Sequence, residues 1–246
     1  MQQAHIPSAG VRYWMALCLA SVFGANCGDF VARYFKLGHA GGLLPLAILL
    51  AIVLIVERRD RSTHQAWYWT AIIIIRTAAT NIGDFGQAEM GLPKLWLIAG
   101  LAVLLVLTLL VSPPAKSAEP DGATRFQLPT TDAKYWTAML IAGTLGTVIG
   151  DFMSFGSGFG TASASLIQGG VLAVLFPLGT RGLLVNLWLY WLTVVTVRAA
   201  GTSVGDFTAH NLGLPVSTLV TGLMFVALLV LWKETPPYRL RSGEAV

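Results

Sequence analysis

The stretch VGDF, residues 204–207, closes a segment that the chain writes four times. CGDF ends at Phe30, IGDF at Phe85, IGDF again at Phe152 and VGDF at Phe207. Each is preceded by an aromatic pair, Tyr13-Trp14, Tyr68-Trp69, Tyr135-Trp136 and Tyr190-Trp191, with 15 residues from Tyr to Gly in every copy. Four matches at one spacing mark an internal repeat, and a repeat sets the architecture before any local propensity does. Copies one and two are offset by 55 residues, copies three and four by 55 again, and the first pair maps onto the second with an offset of 122. Copies two and four also share Arg76 with Arg198, Thr80 with Thr202, and Gly91-Leu92-Pro93 with Gly213-Leu214-Pro215. A two-span unit, doubled and doubled again, accounts for this pattern.

Composition places the repeat in a bilayer. With 55% hydrophobic residues, 11% charged and a mean hydropathy of +0.68, the 246-residue chain cannot present a soluble surface. The net charge of +4 is the basic excess that cytoplasmic loops of membrane proteins carry, and no nucleic-acid partner is expected. Cys18 and Cys27 lie about 13 Å apart along one predicted helix and cannot bridge each other. The first apolar stretch is long enough to be retained as a span and not cleaved as a leader. Apolar runs of roughly membrane-crossing length fall near 12–34, 41–56, 67–87, 95–111, 135–155, 162–178, 183–208 and 215–232. The expected fold is therefore an all-α polytopic bundle of eight transmembrane helices, made of four parallel two-helix repeats in two pseudo-symmetric halves. The halves are residues 1–112 and 135–246, joined by a Pro/Ala/Ser-containing linker at 113–134.

Lys and Arg set the orientation. Arg12, Arg58, Arg59, Arg61, Lys116, Arg125, Lys134, Arg181, Lys233, Arg239 and Arg241 lie in the termini and after even spans, whereas only Arg33, Lys36 and Lys94 follow odd ones. Both termini are expected on the cytoplasmic side. Because each unit has an even number of spans, all four copies enter the membrane in the same direction, around an axis along the membrane normal.

With its four YW pairs and the segments FGANCGDF, AATNIGDF, GTVIGDF and AGTSVGDF, the chain resembles a bacterial family of multi-pass membrane proteins of unknown function. That family is built from four tandem two-span repeats with GD motifs. The resemblance covers about Tyr13 to Trp232 and implies the architecture and a bacterial inner membrane, but no activity. Family members often carry an acidic residue shortly before the first Asp, where this chain has Ala25-Asn26.

The candidate site lies in the repeated motif. Tyr and Trp favour the membrane–water interface, so the YW pairs are expected as boundary anchors. At about 1.5 Å per residue, an Asp 16 residues later lies about 24 Å into a layer of about 30 Å. Asp29, Asp84, Asp151 and Asp206 are thereby expected at one depth, gathered around the axis. The Gly before each Asp and the small residue four positions earlier (Gly24, Ala79, Gly146 and Gly201) form a small-xxx-small seam for close helix approach. Thr80, Thr147 and Thr202, four residues before their Asp, together with Asn26 and Asn81, offer neutral oxygens. Arg76 and Arg198 fall about 12 Å deep, where an Arg must face the bundle interior or water. They are candidates for a gate or counter-charge.

Four carboxylates cannot all remain ionised together without a cation or shared protons. Over two arginines they suit one divalent cation, bound by the four Asp as metal ligands, or two protons. The expected function is a transporter or channel for a small cation, whether divalent metal or proton-coupled. The other reading is a non-transporting scaffold or accessory subunit docking membrane proteins, with a homo-oligomer or membrane-protein partner. No enzyme is expected. The position three before each Asp is Asn26, Asn81, Val148 or Ser203, never the Gly of intramembrane aspartyl proteases, and no nucleophile elbow or phosphate loop is visible. His5, His39, His64 and His210 fall in tails, loops or span ends and do not form a haem site.

Overall fold

The computed structural model describes residue 7 and residues 10–59, 65–111, 131–180 and 187–232. Among these residues the chain forms eight helices: α1 (Val11–Tyr34), α2 (Gly38–Arg59), α3 (Ala66–Asp84), α4 (Lys94–Val111), α5 (Ala133–Asp151), α6 (Gly160–Thr180), α7 (Leu187–Leu212) and α8 (Leu214–Leu231). Each predicted span is a helix within a few residues of its expected bounds. Most of the predicted linker lies outside the described residues. Its last residues open α5, where the Asp132 side chain accepts from the Tyr135 N–H at 2.9 Å and caps the helix.

Six of the eight helices are long and apolar enough to cross a membrane, and the protein is a multi-pass membrane protein. The remaining two, α3 and α7, carry Arg76 and Arg198, and the packing explains how they tolerate them. The odd helices contact one another in the order α1, α3, α5, α7, and α7 closes back on α1. Outside this ring α2 packs on α3, α4 on α5, α6 on α7 and α8 on α1. Each unit's second helix thus covers the first helix of the next unit, and the last helix covers the first. No unit buries its inner helix alone, so the fold is complete only when the fourth copy returns to the first. The outer helices expose Leu44, Ile48, Leu107, Leu110, Leu166 and Leu219 to the surroundings, as a lipid-facing shell does.

The small-residue seams hold the inner ring. A β-carbon placed on Gly28 would lie 2.5 Å from Thr80 Cβ, and one on Gly83 3.2 Å from Thr147 Cγ2. On Gly150 it would lie 2.8 Å from Thr202 Cβ, and on Gly205 3.2 Å from Ala25 Cβ. The Gly of each GDF motif therefore touches the residue four before the Asp on the next ring helix, all the way round. One turn earlier Gly24 meets Arg76, Gly146 meets Arg198 and Gly201 meets Ser21, while Ala79 meets Gly143. The same two contacts recur at all four joints, which is what four equivalent helices in a closed ring require.

One end of the ring is sealed by the tyrosines. The hydroxyls of Tyr13, Tyr68, Tyr135 and Tyr190 are linked in a cycle, at 3.2 Å (13 to 68), 2.7 Å (68 to 135), 3.2 Å (135 to 190) and 2.8 Å (190 to 13). Each ring also packs against the Trp of a neighbouring helix: Tyr13 on Trp69, Tyr68 on Trp136, Tyr135 on Trp191 and Tyr190 on Trp14, with centroids 5.7 to 5.8 Å apart. The YW pairs are thus corrected from boundary anchors to core, because all eight side chains are buried. A cycle of four hydroxyls satisfies each O–H without water, so Tyr can stand where a lone phenol could not.

Candidate functional site

Above the tyrosine cycle the ring is filled by Leu17, Ile72, Met139 and Val194, all fully buried. They stand four residues after each Tyr and make one apolar layer. Four residues further, the equivalent positions are Ser21, Arg76, Gly143 and Arg198. The two arginines sit on alternate ring helices, α3 and α7, and the small residues on α1 and α5 leave room for them. Both guanidinium side chains are fully buried.

The arginines point in opposite directions along the axis. Arg76 donates from Nη2 to Met139 Sδ at 3.7 Å, in the apolar layer toward the tyrosines. Arg198 donates from Nε to Thr147 Oγ1 at 3.0 Å, from Nη1 to the Ser21 carbonyl at 2.7 Å, and from Nη2 to Thr80 Oγ1. It therefore reaches toward the aspartates, all four of which feel its charge. Two buried cations at one level repel, and facing apart separates their charged ends.

The four aspartates occupy the far end of the ring, within electrostatic reach of one another. Asp29 pairs with Arg33 on its own helix at 3.6 Å, and Asp84 Oδ2 lies 3.6 Å from His39 Nδ1 on α2. Asp151 Oδ2 accepts from Gln87 Nε2 at 2.7 Å, and Lys94 Nζ donates to the Asp151 carbonyl at 3.2 Å. Asp206 Oδ2 is buried with no partner among the described residues. In copies two and three the helix changes pitch directly after the Asp, into π-helical turns at Phe85–Glu89 and Phe152–Gly156. Such turns are frequent at functional sites. Here one of them carries Gln87 to the Asp of the next helix.

The candidate set divides on this geometry. The Asp residues share one end of the ring, but among the described residues no group of three or more His, Cys, Asp and Glu side chains is placed to hold a metal. Thr80 and Thr147 serve Arg198 in place of an ion, because a guanidinium without water must find neutral acceptors. Thr202 Oγ1 is buried without a partner among the described residues. Asn26 and Asn81 lie beside the outer helices as well as the ring, and the Asn26 oxygen would stand 3.2 Å from a β-carbon on Gly205 of α7. The Asn26 amide donates to Ser217 Oγ at 2.7 Å and to Thr221 Oγ1 at 3.5 Å on α8. Asn81 lies against Gly42 of α2. Both stand one residue beyond the seam position, about 100° round the helix, and both are buried.

The sequence pointed to neither Gln87 nor His39. Gln87 follows the motif by two residues in one copy only, and His39 opens a different helix.

The model of a family described as a Repeat of Unknown Function matches residues 12–63, 134–181 and 189–236, more than half of the chain. The second copy has the same YW and GDF frame but lies outside these matches. No curated protein and no solved structure matches the chain.

Proposed function

Since the chain belongs to the DUF347 repeat family, whose description assigns no activity, we propose from its own ring that it is a transporter or channel for a small cation, in proton-coupled form. One observation carries the reading. Polar groups continue along the inner ring of an otherwise apolar bundle from the aspartates through Thr80 and Thr147 to the two arginines, where one apolar layer separates them from the tyrosine cycle. Ionisable groups inside a membrane are costly and mark ion or proton paths more often than packing.

Four carboxylates at one end concentrate cations and share protons. Arg198, felt by all four, is the barrier a cation meets next. When a proton or cation neutralises the aspartates, their pull on Arg198 weakens, and its movement away from Thr80 and Thr147 would open the next level. The tyrosine cycle and the apolar layer above it close the other end in this state. In a bacterial inner membrane with both termini cytoplasmic, the aspartate end would face outward. The proton-coupled form is preferred over coordinated divalent metal because, among the described residues, no three His, Cys, Asp or Glu side chains are placed to hold a metal. The reading assigns no covalent chemistry and no enzyme activity.

The closed axis also favours a second reading, a non-transporting scaffold. Leu17, Ile72, Met139 and Val194 are fully buried, and packing alone would account for them. Flux separates the two. Full-length protein in proteoliposomes should pass protons or a small cation, and Asp84→Asn, Asp151→Asn or Asp206→Asn should slow it by about tenfold or more, equivalent to about 1.4 kcal/mol on the barrier. Wild-type rates in every variant, or no flux of any cation tried, would leave the scaffold.

A further inference from the structure

We propose that the ring has a second state in which its two arginines exchange directions, Arg76 turning to the aspartate end and Arg198 to the tyrosine end. They are equivalent residues standing in unlike conformations. Shifting the first half of the chain onto the second by 122 residues lays Arg76 on Arg198, Thr80 on Thr202, Ser21 on Gly143, Ala25 on Thr147 and Leu17 on Met139. The turns that follow the two motifs differ as well. Gly91 lies seven residues after Asp84 and Gly213 seven after Asp206, each opening Gly-Leu-Pro with a positive φ. Yet the first segment is π-helical at Phe85–Glu89, and the second stays α-helical to Leu212. One length of chain thus accepts either form. A ring of equivalent helices can be occupied in two ways, and the residues that differ between copies set the balance.

The present contacts define the second state. Arg198 donates to Thr147 Oγ1, Thr80 Oγ1 and the Ser21 carbonyl. Around Arg76 the equivalent positions are Ala25, Thr202 and Gly143. Thr202 Oγ1 is buried and takes no partner among the described residues, and Gly143 already borders the guanidinium, since a β-carbon there would lie 3.8 Å from Arg76 Nη1. Turned upward, Arg76 would therefore donate to the Thr202 hydroxyl and the Gly143 carbonyl, in exchange for the Met139 thioether, a weak acceptor. The two moves are coupled. Both guanidiniums at the aspartate end would set two cations among one group of hydroxyls, and in a closely packed ring Arg76 gains the upper place only as Arg198 leaves it. Two positions tip the balance toward the observed form: residue 25 is Ala where its equivalent is Thr147, and Leu17 offers no acceptor where Met139 offers sulfur. The exchanged form is accordingly the minor one, on the order of 0.1–10% of molecules. The inference goes beyond the cation reading and stands whether or not the protein conducts.

Trading the residues that differ tests it. The full-length variant Leu17→Met, Met139→Leu, Ala25→Thr and Thr147→Ala keeps the wild-type composition but gives Arg76 the acceptors that Arg198 now has. Thr fits at position 25 because the residue opposite is Gly205, just as Gly28, Gly83 and Gly150 stand opposite Thr80, Thr147 and Thr202. The crystal structure of this variant is expected to show Arg76 donating to Thr202 and to the hydroxyl introduced at position 25, with Thr80 released and Arg198 turned to the tyrosines. Arg198 still bonded to Thr80 and the Ser21 carbonyl with Arg76 in the apolar layer, or both arginines facing one end, would overturn the proposal. Should the variant not fold, the wild-type protein in nanodiscs with isotopically labelled arginine decides. Saturation-transfer NMR of the two buried Nε–H signals should show Arg76 and Arg198 exchanging with a minor state at one common rate and population. No minor state, or unlike rates for the two, would overturn it equally.

Discussion

Replacing Arg198 with methionine is expected to destabilise the purified protein by about 3–5 kcal/mol, the scale for stranding buried charge by removing its partner. The same change at Arg76 is expected to be neutral or stabilising. The two positions are equivalent in the repeat, and both side chains are fully buried. Their difference lies in what they touch. Arg198 donates to Thr147, Thr80 and the Ser21 carbonyl, so it ties α7 to α5, α3 and α1 at one level. It is also the buried cation felt by all four aspartates. Methionine keeps the length but leaves the acceptors without their donor and the carboxylates without that charge. At Arg76 two nitrogens have no partner among the described residues, and an apolar side chain of similar size removes a desolvated cation that ties down no neighbouring helix by hydrogen bonds to backbone or hydroxyl. Replacing poorly paired buried charge with packed apolar groups is often neutral or favourable by about 1–4 kcal/mol. Thermal midpoints of the two variants in one detergent and one buffer measure the contrast; equal losses would contradict it.

The second large effect is expected at the seams. Gly146→Ala and Gly150→Ala should each destabilise by about 1–3 kcal/mol, the usual scale for overpacking. The reason is what the new methyl meets. At Gly146 it would lie 2.7 Å from the Val195 carbonyl, and at Gly150 2.8 Å from the Ala199 carbonyl. Backbone cannot rotate aside as a side chain can, so α5 and α7 would have to part. Both joints adjoin the Arg198 level, so parting them should also loosen its bonds. Gly100→Ala is the matching control. It lies on the outer face of α4 with nothing within 4 Å of the added carbon, and alanine there should be neutral or stabilise by up to about 1 kcal/mol through helix propensity. Similar midpoints for Gly100→Ala and Gly150→Ala would mean that the inner helices are not in close contact.

The repeat made much of this legible in advance. A motif spaced identically in four copies fixes depth, and Gly with a small residue four positions earlier predicts a seam wherever helices pack in a membrane. Both features survive in the ring. The tyrosines were misplaced for a specific reason: an amphipathic ring suits a lipid boundary and a hydroxyl cycle equally well, and no single helix shows that its counterparts will meet it. The Asn26 amide bonds to Ser217 and Thr221 of α8 were not legible, because those partners lie on a helix whose sequence does not carry the motif. The opposed arginines were not legible either. Their directions depend on Met139 below one and Thr80 with Thr147 above the other, and those are contacts from other copies. Gln87 and His39 reach the aspartates from a π-helical turn and an outer helix, elements whose sequence does not repeat.

Everything proposed for the aspartates and arginines requires the four copies to close into one ring, and the joint between last and first is its most exposed test. A β-carbon on Gly205 of α7 would lie 3.2 Å from Ala25 Cβ on α1, close to the separation of about 3.5–4.5 Å across a disulfide. In a protein whose Cys18 and Cys27 are replaced by alanine, the pair Ala25→Cys and Gly205→Cys should oxidise to an intramolecular disulfide in nearly every molecule. It should remain reducible and fully folded in the membrane. Failure of that pair to cross-link under oxidation, with both thiols still labelled by a small maleimide, would show α1 and α7 apart and the ring open.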